Sequence, residues 1–120
     1  MSELLLNEET MDQIRRAGGD ELLLELFGVF LSHVEVRRKA ILDSVKSEDA
    51  SVARKAFHSI RSSSVTIGLQ ALSERAAELE DLAERNCWDE VNQVLPRLED
   101  DLIQSVRCLE LEVVRIADSS

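Results

Sequence analysis

One window of the chain holds the side chains best placed for chemistry. Between Ala50 and Ser73 there is no carboxylate, although the chain has 24 Asp and Glu against 14 Lys and Arg and a formal net charge of −10. Arg54, Lys55 and Arg61 fall inside that window, and His58 stands at its centre. At about 100° per residue, His58 lies roughly 150° from the middle of the apolar stripe Ala53, Phe57, Ile60, Ser64 and Ile67, so it faces water. Arg54, Arg61 and Ser62 are its surface neighbours, three or four residues away on the same helix. An outward histidine among arginines and small hydroxyl residues also fits a plain solvated surface. The missing carboxylates separate the two readings, because they suit a site that must tolerate an anion.

The elements that hold this window are helical throughout. Asn7 is a candidate N-cap for a short helix over about residues 8–17, with Met11 and Ile14 on one side and Gly18-Gly19 as its stop. Asp20 can cap the next helix, 20–46, whose stripe is Leu23, Phe27, Phe30, Val34, Ile41 and Val45. Ser47-Glu48-Asp49 breaks the chain before a helix over 50–67, which Gly68 ends or kinks. Leu69, Leu72, Ala76, Leu79 and Ala83 mark a helix over 69–86. Val91, Leu95, Leu98, Leu102, Val106, Leu109, Val113 and Ile116 mark the last, over 88–117. Pro96 sits inside that last helix and predicts a kink or a restart. Nothing alternates with period two. The pattern predicts one all-α domain over residues 1–120, an up-and-down antiparallel four-helix bundle with a short N-terminal helix.

Composition removes several functions. Aromatics are 3% of the residues and Tyr is absent, so there is no platform for stacking bases, and the negative charge repels a phosphate backbone. Nucleic acid is excluded as a main partner. No apolar run spans a membrane, and the Met-Ser-Glu-Leu-Leu-Leu-Asn start has no basic n-region or long h-region of a signal peptide. Cys87 and Cys108, 21 residues apart, form neither a CxxC nor a zinc pattern and read as structural thiols of a reducing cytoplasm. No metal site is expected. Trp88 reads as packing at a helix start, and His33, about 80° off its helix's stripe, as a boundary residue.

The stretch His58-Ser-Ile60-Arg61-Ser62-Ser63-Ser64-Val-Thr-Ile-Gly68-Leu69-Gln-Ala-Leu72 resembles the signature of histidine-containing phosphotransfer (HPt) domains. That signature has the phosphorylated His, an aliphatic residue at +2, a base at +3, a small residue at +4, Gly at +10 and a Leu-rich continuation. The family's acidic or amide residue 22 positions after the His corresponds to Glu80. Two positions depart from the usual pattern: Arg61 stands where Lys is usual, and Ser62 where Gly is usual. The resemblance covers nearly the whole chain and implies a four-helix bundle preceded by a short helix.

It also implies a cytoplasmic, monomeric phosphorelay intermediate. His58 would accept a phosphoryl group from a receiver-domain aspartate, or from a histidine kinase, and pass it to a response-regulator aspartate. The partners implied are receiver domains of a hybrid sensor kinase and of a response regulator. Arg61, Glu80 and Ser62 would support the phosphoryl group and the imidazole, and Arg54, Lys55 and Val65 would form the docking surface. The chain itself would need no cofactor, any Mg²⁺ belonging to the receiver.

The chemistry is consistent with those roles. Imidazole attacks phosphorus only through an unprotonated nitrogen, which is well populated near pH 7. A carboxylate on the other nitrogen fixes the tautomer and makes the attacking one more electron-rich. Glu80, roughly 70° off its helix's stripe, is on a flank that can face the preceding helix. Two other classes lack their motifs. A di-iron bundle needs Glu-x-x-His pairs, and the residues three before His58 and His33 are Lys55 and Phe30. No GxxxxGK[ST] or GxGxxG loop exists, so the chain has no recognisable ATP site; the carrier, not an enzyme, that the resemblance implies would receive its phosphoryl group from another protein. The remaining alternative is an HPt-like adaptor that docks signalling proteins without carrying phosphate.

Overall fold

Apolar residues three and four apart give each segment one face that water disfavours, and four such faces close on a single core. The computed structural model describes residues 6–119. Its helices are α1 (Glu8–Lys46), α2 (Ala50–Thr66), α3 (Gln70–Glu84) and α4 (Trp88–Ser119). They form an up-and-down antiparallel bundle in which α1 packs on α2 and α4, and α3 packs on the same two helices. Phe27, Phe57, Ile60, Leu79 and Leu98 are fully buried at its centre. Among the described residues no helix is long and apolar enough to cross a membrane.

The two segments expected at 8–17 and 20–46 are joined in α1, where the backbone leaves helical angles only at Gly19, at φ 70° and ψ −169°. A residue without Cβ reaches that conformation freely, so the chain changes direction there without a loop. Asn7 caps α1 as expected, its Oδ1 accepting from the Thr10 amide at 3.0 Å. Asp20, expected to cap the second segment, instead accepts from Arg15 Nε at 3.1 Å. Asp49 caps α2, accepting from the Val52 amide at 3.1 Å.

Helices α1, α2 and α3 end alike. In each, the third residue past the helix donates to a carbonyl five residues back: Asp49 to Ser44 at 3.1 Å, Leu69 to Ser64 at 2.8 Å, and Cys87 to Leu82 at 2.9 Å. This Schellman arrangement needs a left-handed residue just before the donor. Those residues are Glu48 (φ 53°), Gly68 (φ 79°) and Asn86 (φ 58°). Glu48 is the costly one, because a side chain in that region is disfavoured by roughly 1–2 kcal/mol. Glu48→Gly is expected to stabilise the protein by about 0.5–1 kcal/mol once glycine's extra unfolded-state entropy is subtracted. An unchanged urea midpoint would contradict this.

Pro96 neither ends nor restarts the last helix, and α4 runs unbroken through it. The proline removes one amide donor from the ladder. Val91, Leu95, Leu98 and Leu102, buried on either side of it, hold the helix against the other three. Tertiary packing outweighs the local penalty.

Candidate functional site

His58 lies at mid-length on α2 with its side chain 50% exposed. The core stripe of α2 (Ala53, Phe57, Ile60 and Ser64) is buried, which forces the opposite face, and His58 with it, outward. Helix α3 turns back against α2 through the Gly68 cap and brings Glu80 beside the ring. Glu80 Oε2 lies 3.2 Å from His58 Nδ1, and the Glu80 side chain is only 15% exposed. An ionised carboxylate only accepts hydrogen bonds, so in this pair Nδ1 is the donor and Nε2 is the nitrogen turned away from Glu80. Arg61 Nη1 is 3.2 Å from Glu80 Oε1. That contact is electrostatic and not an aligned hydrogen bond, because the buried Oε1 has no hydrogen-bond partner.

Ser62 Oγ is 3.5 Å from His58 Nε2. The structure thus groups His58, Arg61, Ser62 and Glu80 within one cluster. Arg54 is half-buried, while Lys55 and Val65 are exposed on the same helix. The remaining hydroxyls of the Ser-rich run turn elsewhere. Ser63 donates to the Ser59 carbonyl at 2.9 Å and accepts from Arg37 of α1. Ser64 donates to the Ile60 carbonyl at 2.6 Å and Thr66 to that of Ser62 at 3.0 Å.

Val29 of α1 was not singled out by periodicity. It is 49% exposed and lines a shallow groove of about 130 Å³ with Leu26, Ser63 and Thr66, further along α2 from His58. Its signal in the sequence was only an apolar residue on a polar face. The wider cleft of about 820 Å³ lies between the first part of α1 and α4, among Met11, Arg15, Leu111 and Arg115, and takes in none of the His58 cluster.

The other titratable candidates lie apart. His33 is exposed, not at the boundary that the wheel placed it on, and its Nδ1 is 2.8 Å from the Val29 carbonyl oxygen of its own helix. Cys87 and Cys108 are free thiols, both half-buried. Burial, followed by the nearby Glu112 carboxylate, pushes the Cys108 thiol up, which lowers its thiolate fraction. Among the described residues no group of three or more His, Cys, Asp or Glu is arranged to hold a metal ion.

Comparison with known proteins adds three findings. The family model described as "Hpt domain" matches residues 25–108. Among solved structures, the chain is similar to histidine-containing phosphotransfer protein B (HptB) from Pseudomonas aeruginosa PAO1, with a TM-score of 0.87 and 21% identity over 95% of this chain and 98% of that one. No curated protein matches the chain. The HptB likeness is one of fold, whereas the family model spans well over half of the sequence and includes both His58 and Glu80. The chain therefore belongs to the Hpt domain family, the histidine phosphotransfer domains of two-component signalling.

Proposed function

We propose that this protein is a cytoplasmic, monomeric phosphorelay carrier and that His58 is the residue phosphorylated. The observation that carries this reading is the pairing of His58 Nδ1 with Glu80 at 3.2 Å on a half-exposed ring. The carboxylate holds the proton on Nδ1, and Nε2 can meet an incoming phosphorus atom. The donor is an aspartyl phosphate of a receiver domain. Its P–O bond breaks, the carboxylate leaves with the electron pair, and Nε2 forms the P–N bond. An acceptor receiver's aspartate then reverses the process on a second protein. Arg61, 40% exposed and already at the cluster, offsets the phosphoryl charge. Arg54, Lys55 and Val65 meet the receiver.

The direct test is incubation with receivers carrying labelled aspartyl phosphate. A carrier acquires label that is acid-labile and base-stable, as a phosphoramidate is. A protein that binds the receivers and stays unlabelled is the adaptor, a reading favoured by the Ser62 hydroxyl lying against Nε2.

That hydroxyl gives a further expectation. With Nδ1 protonated, Nε2 is an acceptor, so Ser62 shares the lone pair that must attack. Ser62→Gly and Ser62→Ala are both expected to accelerate acceptance, by roughly threefold to tenfold if one neutral hydrogen bond is relieved. Ser62→Gln is expected to block the receiver sterically, since residues four apart share a helix face. Initial rates of label transfer decide this. Slower transfer by both small variants would assign the hydroxyl to the phosphoryl group instead.

A further inference from the structure

The outer face of α4 carries an apolar stripe that nothing in the chain covers. At about 100° per residue, Ile103, Arg107, Leu111 and Val114 fall within roughly 80° of arc, on the side of the helix away from the buried Leu102, Leu109 and Ile116. Ile103, Leu111 and Val114 are 49%, 71% and 56% exposed. Apolar residues scattered singly over a surface are ordinary, whereas a patch of them on one helix face marks a contact surface.

The charges decide what can lie there. The chain carries −10, and the first part of α4 sets Asp89, Glu90, Glu99, Asp100 and Asp101 against Arg97 alone. Over residues 103–117 the two signs balance, Arg107 and Arg115 against Glu110 and Glu112. An acidic protein, another copy of this chain included, can approach this part of α4 without net repulsion. The α2 face also lacks acids, but Arg54, Lys55 and Arg61 give it a single sign, so two copies repel each other there. A two-fold contact needs a patch that complements itself. Arg115 is already paired with Glu112 at 2.7 Å. Arg107 and Glu110 are exposed, and among the described residues neither has an ion-pair partner.

We propose that two copies of this chain pair reversibly through the outer faces of α4, antiparallel about a two-fold axis between residues 108 and 109. That register sets Arg107 against Glu110 of the second copy, and Ile103 against its Val114, each twice. Leu111 of both copies lies beside the axis, about 4 Å from it along each helix. The stripe from Ile103 to Val114 is only about 17 Å long, which puts the contact at the small, transient end of protein interfaces. Single chains therefore predominate at low micromolar concentration, and the pairing goes beyond the carrier reading, in which each chain works alone. Helix α4 packs on α1 and α3 and not on α2, so both His58 rings stay clear of the contact.

Sedimentation equilibrium of the full chain, from about 10 µM to about 1 mM in salt that screens the like charge, tests this. The weight-average mass of the wild type should climb from 13.5 kDa towards twice that value. Arg107→Glu sets glutamate against glutamate at both crossings, and Glu110→Arg sets arginine against arginine. Each variant alone should associate roughly tenfold more weakly. Mixed in equal amounts the two should associate again, because every crossing then joins a glutamate to an arginine. Leu111→Asp should weaken pairing with no such rescue. Circular dichroism checks that the variants, all at exposed positions, keep the fold. A mass that stays at one chain up to the highest concentration overturns the proposal. Single charge variants that associate like wild type, or a mixture that fails to recover what they lose, overturn it equally.

Discussion

His58→Gln is expected to abolish phosphoryl acceptance from receivers while leaving helical content and the unfolding midpoint close to wild type. Glutamine has no ring nitrogen to attack phosphorus, so the loss is complete and not graded. The fold is spared because His58 is half exposed, and its partners, Glu80 and Ser62, keep their own helices. Surface substitutions of this kind usually stay within about ±0.5 kcal/mol. Label transfer and a urea titration on the same sample check both halves. Retained labelling, or loss of label with unfolding, would contradict the assignment. His33→Gln should transfer normally, since no residue of the His58 cluster contacts it.

The second large effect is expected ten residues further on, at Gly68. Its φ of 79° disfavours any side chain, and a Cβ built there would lie 3.0 Å from the Cβ of Thr10 and 3.3 Å from the Asn7 amide nitrogen. Those neighbours cannot easily withdraw. The Asn7 amide donates to the Gly68 carbonyl at 2.8 Å, and Leu6 pairs with Leu69 in an antiparallel bridge. Gly68→Ala is expected to destabilise the protein by about 2–4 kcal/mol, combining the left-handed penalty with overpacking. Urea unfolding measures it, and a loss below about 1 kcal/mol would mean that the turn relaxes without strain. Because this turn sets how α3 returns along α2, the variant should also lengthen the His58–Glu80 contact, visible as a changed histidine ring spectrum.

Particular residues show what periodicity carries and where it stops. The outward placement of His58 follows from the angle between it and Phe57 or Ile60, and the structure has it exposed beside those buried residues. The position of Gly68 at a helix end was readable too, but not its dependence on Asn7 and Thr10, which are about sixty residues away in sequence. Helical spacing says nothing of which flank a neighbouring helix covers. For that reason the cross-helix pairs Arg38–Glu99 and Arg75–Asp101, each at 3.0 Å, could not be foreseen. Glu80 was accessible by another route, its spacing from His58 in a family pattern. Its buried oxygen, ion-paired but without a hydrogen bond, was not, since that depends on how Arg61 is angled. Gly18-Gly19 marks a real interruption, since α1 leaves helical angles at Gly19, whereas at Pro96 the packing of α4 carries the helix through without a restart.

The strap formed by Leu6 and Asn7 bears on how this domain can be cut. The family match begins at residue 25 and ends at 108, yet the α2–α3 turn is closed by residues from well before that span. A fragment trimmed to the match would also lose Met11, Ile14, Leu109 and Ile116, all buried. Leu69 would then meet water on the side that Leu6 now covers, and the Gly68 carbonyl would trade the Asn7 amide for solvent. The smallest excisable unit is accordingly larger than the stretch that identifies it.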